Sequence, residues 1–376
     1  MRKLFDMSKM KYFPLEERRS KLDVVSGCVH PDDGIDVPPA IIEKAEAIAS
    51  EIIAAREKDA QVICAFGAHA IKNGLGKLLG EMLSRGWFTH LAANGAAVIH
   101  DWEFSFLGKS GEDVRENTAV GKFGTWEETG LYINLAIAVG AYNGLGYGSS
   151  VGKMICGGGL AIPQRGELHD AAKNHDSDFR KAAAALDLYE LIESEKIPSG
   201  FLALEHPWKE YSLLAAAQKA ELPFTCHPMF GHDIIYTHRA NRGAAIGRTA
   251  ETDFLQFVKS VSGLEGGVYL SVGSAVMSPM IFEKSLSMAR NATLGGNAVL
   301  GGGTASGGIT DCNIHVVDLQ ESQWDWSKGE PPMDNPAYYL RFMKTFSRMG
   351  MRTDYTSADN RDFFVALYRA LQRKSS

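Results

Sequence analysis

The 376-residue chain holds only five cysteines, Cys28, Cys64, Cys156, Cys226 and Cys312, and no two of them form a CxxC pair. An odd, scattered set excludes a disulfide framework and suits reduced thiols in a cytoplasm. No apolar run is long enough to span a bilayer, and the N-terminal MRKLFDMSKMKYFPLEERRSKLDV lacks the apolar core of a signal peptide. A soluble, cytoplasmic protein without membrane contact is therefore expected. Basic clusters with interleaved aromatics are missing too, and the net charge is −6, which argues against a dedicated nucleic-acid binder. Standard phosphate motifs are also absent. GLGYGSSVGKM has Tyr147 where a P-loop needs its first glycine and Met154 where it needs Ser or Thr. No GxGxxG follows the first or second expected strand.

What is present has the rhythm of a parallel sheet. Ile41, Ile42, Ala45, Ile48, Ile52 and Ile53 fall on one helical face, and the short apolar run QVICAFGA follows. A second helix carries Leu75, Leu78, Leu79 and Met82, and THLAAN comes after it. From Trp208 onward, helices and short apolar runs alternate again. The pattern predicts six strands at about 61–66, 89–93, 222–226, 267–272, 312–318 and 352–356. The expected class is α/β: a Rossmann-like, mostly parallel six-stranded sheet with helices on both faces. Residues 1–36 read as an N-terminal arm, and 37–376 as a single α/β domain with a helical insertion over about 102–200. GLGYGSSVGKMICGGG reads as a Gly-rich connection inside that insertion, and the glycine-rich 295–308 as a loop or lid.

Each expected strand ends in small or polar residues. Gly67 and His69 follow the first; Asn94 and Gly95 follow the second, with His100 and Asp101 just beyond. His227, His232 and Asp233 follow the third, Gly273 and Ser274 the fourth, Asp318 ends the fifth, and Ala358 and Asp359 follow the last. In a parallel sheet these ends share one edge, where glycines admit a ligand and Asp accepts from ribose hydroxyls. His100 is expected to exchange a proton or anchor substrate, with Asp101 orienting its ring. Alternatively, Asp101 caps a helix starting there. No metal is part of the leading reading. A metal-dependent hydrolase or lyase would draw on His227, His232, Asp233 and His100, and a non-catalytic nucleotide-binding protein would use the same edge without turnover.

Laid out this way, the chain resembles the deoxyhypusine synthase family over roughly residues 40–372. The turn and helix of Gly67–Gly74, the Ala93–Asp101 stretch, and Cys226-His227-Pro228 through Asp233-Ile234-Ile235 follow that family's order of motifs. So do the turn Ser271–Val276, the acidic loop His315–Asp325 and Ala358-Asp359. The resemblance implies an NAD-dependent transferase that moves an alkylamine-type group through an imine, from a homotetramer or dimer with its site near an interface. It implies NAD as cofactor, a small-molecule amine as substrate, and Lys344 as the imine-forming lysine. Phe342-Met343 stands before Lys344 where the family has Trp-Gly, and Met277-Ser278-Pro279 stands where it has a histidine.

Overall fold

In the computed structural model of the chain, residues 4–294 and 309–375 are described, with the side chain of Leu294 left aside; the loop expected over 295–308 lies outside the described residues. Six strands form one sheet: β1 (Val62–Phe66), β2 (His90–Ala93), β3 (Phe224–Cys226), β4 (Gly267–Val272), β5 (Cys312–Asp318) and β6 (Arg352–Ser357). Their spatial order is β6-β5-β4-β1-β2-β3, and every pairing is parallel. That is the doubly wound Rossmann order, with the direction of winding reversing between β1 and β4. The expected strand boundaries hold to within two residues.

Alternation along β1 explains why both faces are covered. Val62, Cys64 and Phe66 join one core with residues of α1 (Pro39–Glu57), α2 (Gly95–Leu107), α3 (Glu127–Tyr142) and the C-terminal α6 (Asn360–Lys374). Ile63 and Ala65 point the other way, into a second core with Phe257 of α4 (Gly243–Ser262), Phe282 of α5 (Met277–Leu294) and Phe346. None of the described helices is long and apolar enough to cross a membrane.

The long excursion between β2 and β3 differs from the expectation at two places. It contains an antiparallel pair, Gly159–Ile162 with Gly200–Ala203, among its helices. The Gly-rich connection is a helix, Tyr147–Gly157, with Gly146 as its N-cap. Its glycines serve packing: a Cβ at Gly148 would stand 2.1 Å from the Phe224 carbonyl oxygen. Residues 12–18 of the arm pack on the body, where Phe13 bridges to Trp126 and the Leu15 amide donates to Glu128 Oε2 at 2.7 Å.

Candidate functional site

At the winding reversal the ends of β1 and β4 lie side by side, and a cavity of about 270 Å³ opens above them. Gly67, Asn94, Gly95, Asp233, Gly273 and Ser274 are among its lining residues, so the sheet brings together strand ends far apart in sequence. Two of the glycines admit protein where a ligand was expected. A Cβ on Gly67 would lie 2.2 Å from the Gly273 carbonyl oxygen, and one on Gly95 would lie 2.2 Å from Asp233 Oδ2. Gly273 has φ +58°, the left-handed region where a side chain is strained. Asn94 and Ser274 also hold the fold: Asn94 Oδ1 accepts from the Ala97 amide at 3.0 Å, and Ser274 Oγ from the Ser278 amide at 3.2 Å.

Other expected residues stay outside this cavity. Asp359 Oδ1 accepts from the Arg361 amide at 2.8 Å and caps α6; Asp318 Oδ1 accepts from the Gln320 amide at 3.3 Å. Ala358 is buried and its amide donates to the Asp318 carbonyl. These three share the sheet edge but line neither this cavity nor the next one described. His69 is exposed on the short helix Ala68–Lys72. Lys344 is absent from both linings: its ammonium pairs with Glu330 at 3.5 Å and sits 3.2 Å from the Tyr338 ring centroid. Asn360, directly after the Asp359 cap, is a further neighbour of these strand ends. It accepts from Asn73 Nδ2 at 2.8 Å, and its own Nδ2 approaches Gly273. An Asn directly after the capping Asp359 was the signal available for it.

A second cavity, of about 240 Å³, adjoins the first, with His232 and Asp233 on both linings. His100 lines it from the middle of α2. The helix starts at Gly95, capped by Asn94 and not by Asp101, and it ends at Gly108 with φ +74°. That left-handed turn sends the chain back along Leu22–Asp23, where Ser110 pairs with Leu22. Ser110 Oγ thereby reaches His100 Nδ1 at 2.7 Å and Glu103 Oε2 at 2.5 Å. Glu103 shares the helix face of His100 at i+3 and is buried against Arg18, with bonds of 2.6 and 2.9 Å. Thr129 Oγ1 adds a fourth donor at 2.9 Å.

These bonds fix the order of protons. Burial pushes the Glu103 carboxyl up, but the charge and hydrogen bonds of Arg18 outweigh it and hold the group below the usual range. An ionised Glu103 cannot donate, so Ser110 gives it a hydrogen and must accept one from His100 Nδ1. Nε2 is left with its lone pair and has no partner among the described residues. Burial takes His100 down to about 4, with Lys72, Arg18 and His69 pushing the same way and Glu103 opposing. The ring is therefore neutral at pH 7.

Asp101 does not orient His100, nor does it cap its own helix. It lies a third of a turn away, fully buried, where Oδ1 accepts from the Leu213 amide at 2.8 Å and Oδ2 from Ser212 Oγ at 2.5 Å. It stabilises the start of the helix Leu213–Lys219. Burial raises it to about 6, against those hydrogen bonds.

The histidines after β3 do not converge as metal ligands. Among the described residues, no group of three or more His, Cys, Asp or Glu could hold a metal ion. His227 Nε2 meets Thr225 Oγ1 at 2.9 Å; that hydroxyl meets His90 Nε2 at 2.8 Å, and His90 Nδ1 meets Ser260 Oγ at 2.7 Å. Burial takes both rings down to about 3. Asp233 is raised to about 6 by burial, with His232 and Tyr236 pulling it down. Its Oδ2 is closed to solvent, packed against Gly95, with the Tyr236 hydroxyl beside it.

No family model matches the chain, and no curated protein does, so the deoxyhypusine synthase resemblance stands on its quoted motifs alone. Among solved structures the chain is similar to AgrE, unliganded, at 13% identity and a TM-score of 0.43, covering 90% of this chain and 34% of that one. The same protein with ornithine and NAD+ also scores 0.43 at 13% identity, over 91% of this chain and 34% of AgrE. A conserved putative LOR/SDH protein from Methanococcus maripaludis S2 scores 0.42 at 13% identity, over 93% of this chain and 74% of that one. The chain thus spans about a third of the length of AgrE. Likeness at this level bears on neither substrate nor chemistry, and the fold class rests on the sheet order itself.

Proposed function

We propose that the adjoining cavities are the site of an NAD-dependent enzyme acting on a small amine, with NAD above the β1–β4 reversal and the substrate beside His100. The carrying observation is the cavity at the winding reversal of a fully parallel sheet, where open α/β sheets bind nucleotides. Gly67, Asn94, Gly95, Gly273 and Ser274 would hold NAD through backbone and hydroxyl groups, since no Arg or Lys lines that cavity. When bound, NAD supplies a hydride acceptor. Oxidation of a carbon bearing an ammonium releases one hydride and one proton and leaves an iminium. His100 Nε2, neutral and fixed, takes that proton. Transfer through an imine on Lys344 is not part of this reading, because Glu330 and Tyr338 hold that lysine outside the cleft. The dimer or tetramer belongs to the same proposal, and exposed Leu4 and Phe5 would suit such a contact.

The test is thermal unfolding and calorimetric titration with NAD, NADP and AMP. NAD at roughly a hundred times its Kd should stabilise the protein by about 2.7 kcal/mol. Ala275→Trp, at an exposed position lining the first cavity, should fold normally and lose the NAD response. No response of the unaltered protein to millimolar NAD would overturn the reading.

A further inference from the structure

The second cavity can be read by asking which of its polar groups the protein leaves unused. Arg18 and Glu103 satisfy each other, with Ser110 and Thr129 completing the carboxylate. Glu112 is likewise occupied: Oε1 accepts from the Gly124 amide at 3.1 Å and from Trp126 Nε1 at 3.0 Å, and Oε2 from Asn117 Nδ2 at 2.6 Å. Four side chains on this wall remain. Lys72 Nζ and the His232 ring make no hydrogen bond or ion pair with the described residues. His100 Nε2 keeps a lone pair, and the Asp233 carboxylate, without an ion pair among the described residues, lines both cavities. One is a cationic donor, one is an anionic acceptor, and two are imidazoles.

From this set we infer that the second cavity takes a small α-amino acid, its carboxylate on Lys72 and its ammonium between Asp233 and His100. A simple amine would leave Lys72 unmatched, and a hydroxy acid would give Asp233 a neutral donor where a charged one bonds more strongly. A cation and a carboxylate on one wall, neither in an ion pair with the described residues, are matched by a ligand that carries both opposite charges. The cavity, about 240 Å³, is smaller than a drug-sized pocket, which favours a ligand of amino-acid dimensions. The inference rests on the reading of this cleft as a ligand site, and it names the substrate class of that site. Asp233 lines both cavities, so the ammonium-bearing carbon would face the first one.

The experiment titrates the intact protein with each standard L-amino acid, followed by calorimetry and thermal unfolding, with and without NAD. Each amino acid that binds is then compared with its decarboxylated amine, its des-amino acid and its 2-hydroxy acid. At least one amino acid should bind, and each of its three analogues should be weaker by about tenfold or more. Lys72→Met and Asp233→Asn should each remove that binding while keeping the unfolding transition. The inference is overturned if no amino acid binds at millimolar concentration, if the amine binds as well as its parent, or if both variants bind normally. NAD binding without any amino-acid binding would sink this inference and leave the cofactor reading standing; the reverse result would sink only the cofactor reading.

Discussion

Two histidines face the cleft through hydroxyl-linked chains, and the chains differ in what lies at the far end. His100 connects through Ser110 to Glu103, which is charged and locked to Arg18. His227 connects through Thr225 and His90 to Ser260, a neutral hydroxyl. A hydroxyl has one hydrogen, so each chain needs a rule for which way the protons run. The anion supplies that rule in the first chain, because it can only accept. In the second chain either order satisfies all three bonds. Charge at the end of a hydrogen-bond chain, more than its length, decides whether a histidine presents a defined lone pair.

The largest effect expected from breaking this contrast comes from Glu103→Ala. It leaves Arg18 buried without its partner and should destabilise the protein by about 3–5 kcal/mol, measured by denaturant unfolding. A loss below about 1 kcal/mol would mean that Arg18 finds water easily and that the first chain is not enclosed. The second test concerns the neutral chain. The folded value of His90, about 3, lies below its ordinary value near 6.5, so the unfolded chain takes up the proton first. Stability therefore falls as pH drops from about 6.5 toward 3, by up to about 1.4 kcal/mol per pH unit from this residue. His90→Gln should make the slope of unfolding free energy between about pH 6 and 4 shallower by that amount; identical slopes would contradict a neutral buried His90. The smallest effect belongs to Ser110→Ala, at about 1 kcal/mol. Its sharper readout is the nitrogen NMR spectrum of His100, which should change from the Nδ1-protonated form to a mixture. An unchanged spectrum would show that something other than the Ser110–Glu103 chain sets the ring.

Why the sheet was legible and the chemistry less so follows from distance along the chain. Buried parallel strands carry their signal in consecutive residues, as in VICAF and GVYLSV, so their ends were readable. Their small polar terminators were readable too, and Gly67, Asn94, Gly95, Asp233, Gly273 and Ser274 do line one cavity. The cluster His100-Asp101-Glu103 was visible as a cluster, but its roles were not. On a helix Asp101 turns about 100° away from His100, while Glu103 at i+3 comes back to the same face. Glu103 finds Arg18 at a separation of 85 residues and Asp101 finds Ser212 at 111, and no local spacing reveals either partner. Gly67 and Gly95 also meet atoms from distant segments, the Gly273 carbonyl and the Asp233 carboxylate, which no local spacing reveals. Lys344 was placed by resemblance alone, and a nearby Glu330 and Tyr338 hold it elsewhere.

The same separation of 85 residues has a meaning in time. Arg18 is synthesised before its partner, which follows only after the 84 residues between them. At about 5–20 residues per second, roughly 4–17 s pass before Glu103 exists to receive it. Until then the arm holds a cation that cannot be buried alone. The hydrogen-bonded pocket of His100 therefore closes only seconds after Arg18 is made, when Glu103 and Ser110 have followed it out of the ribosome.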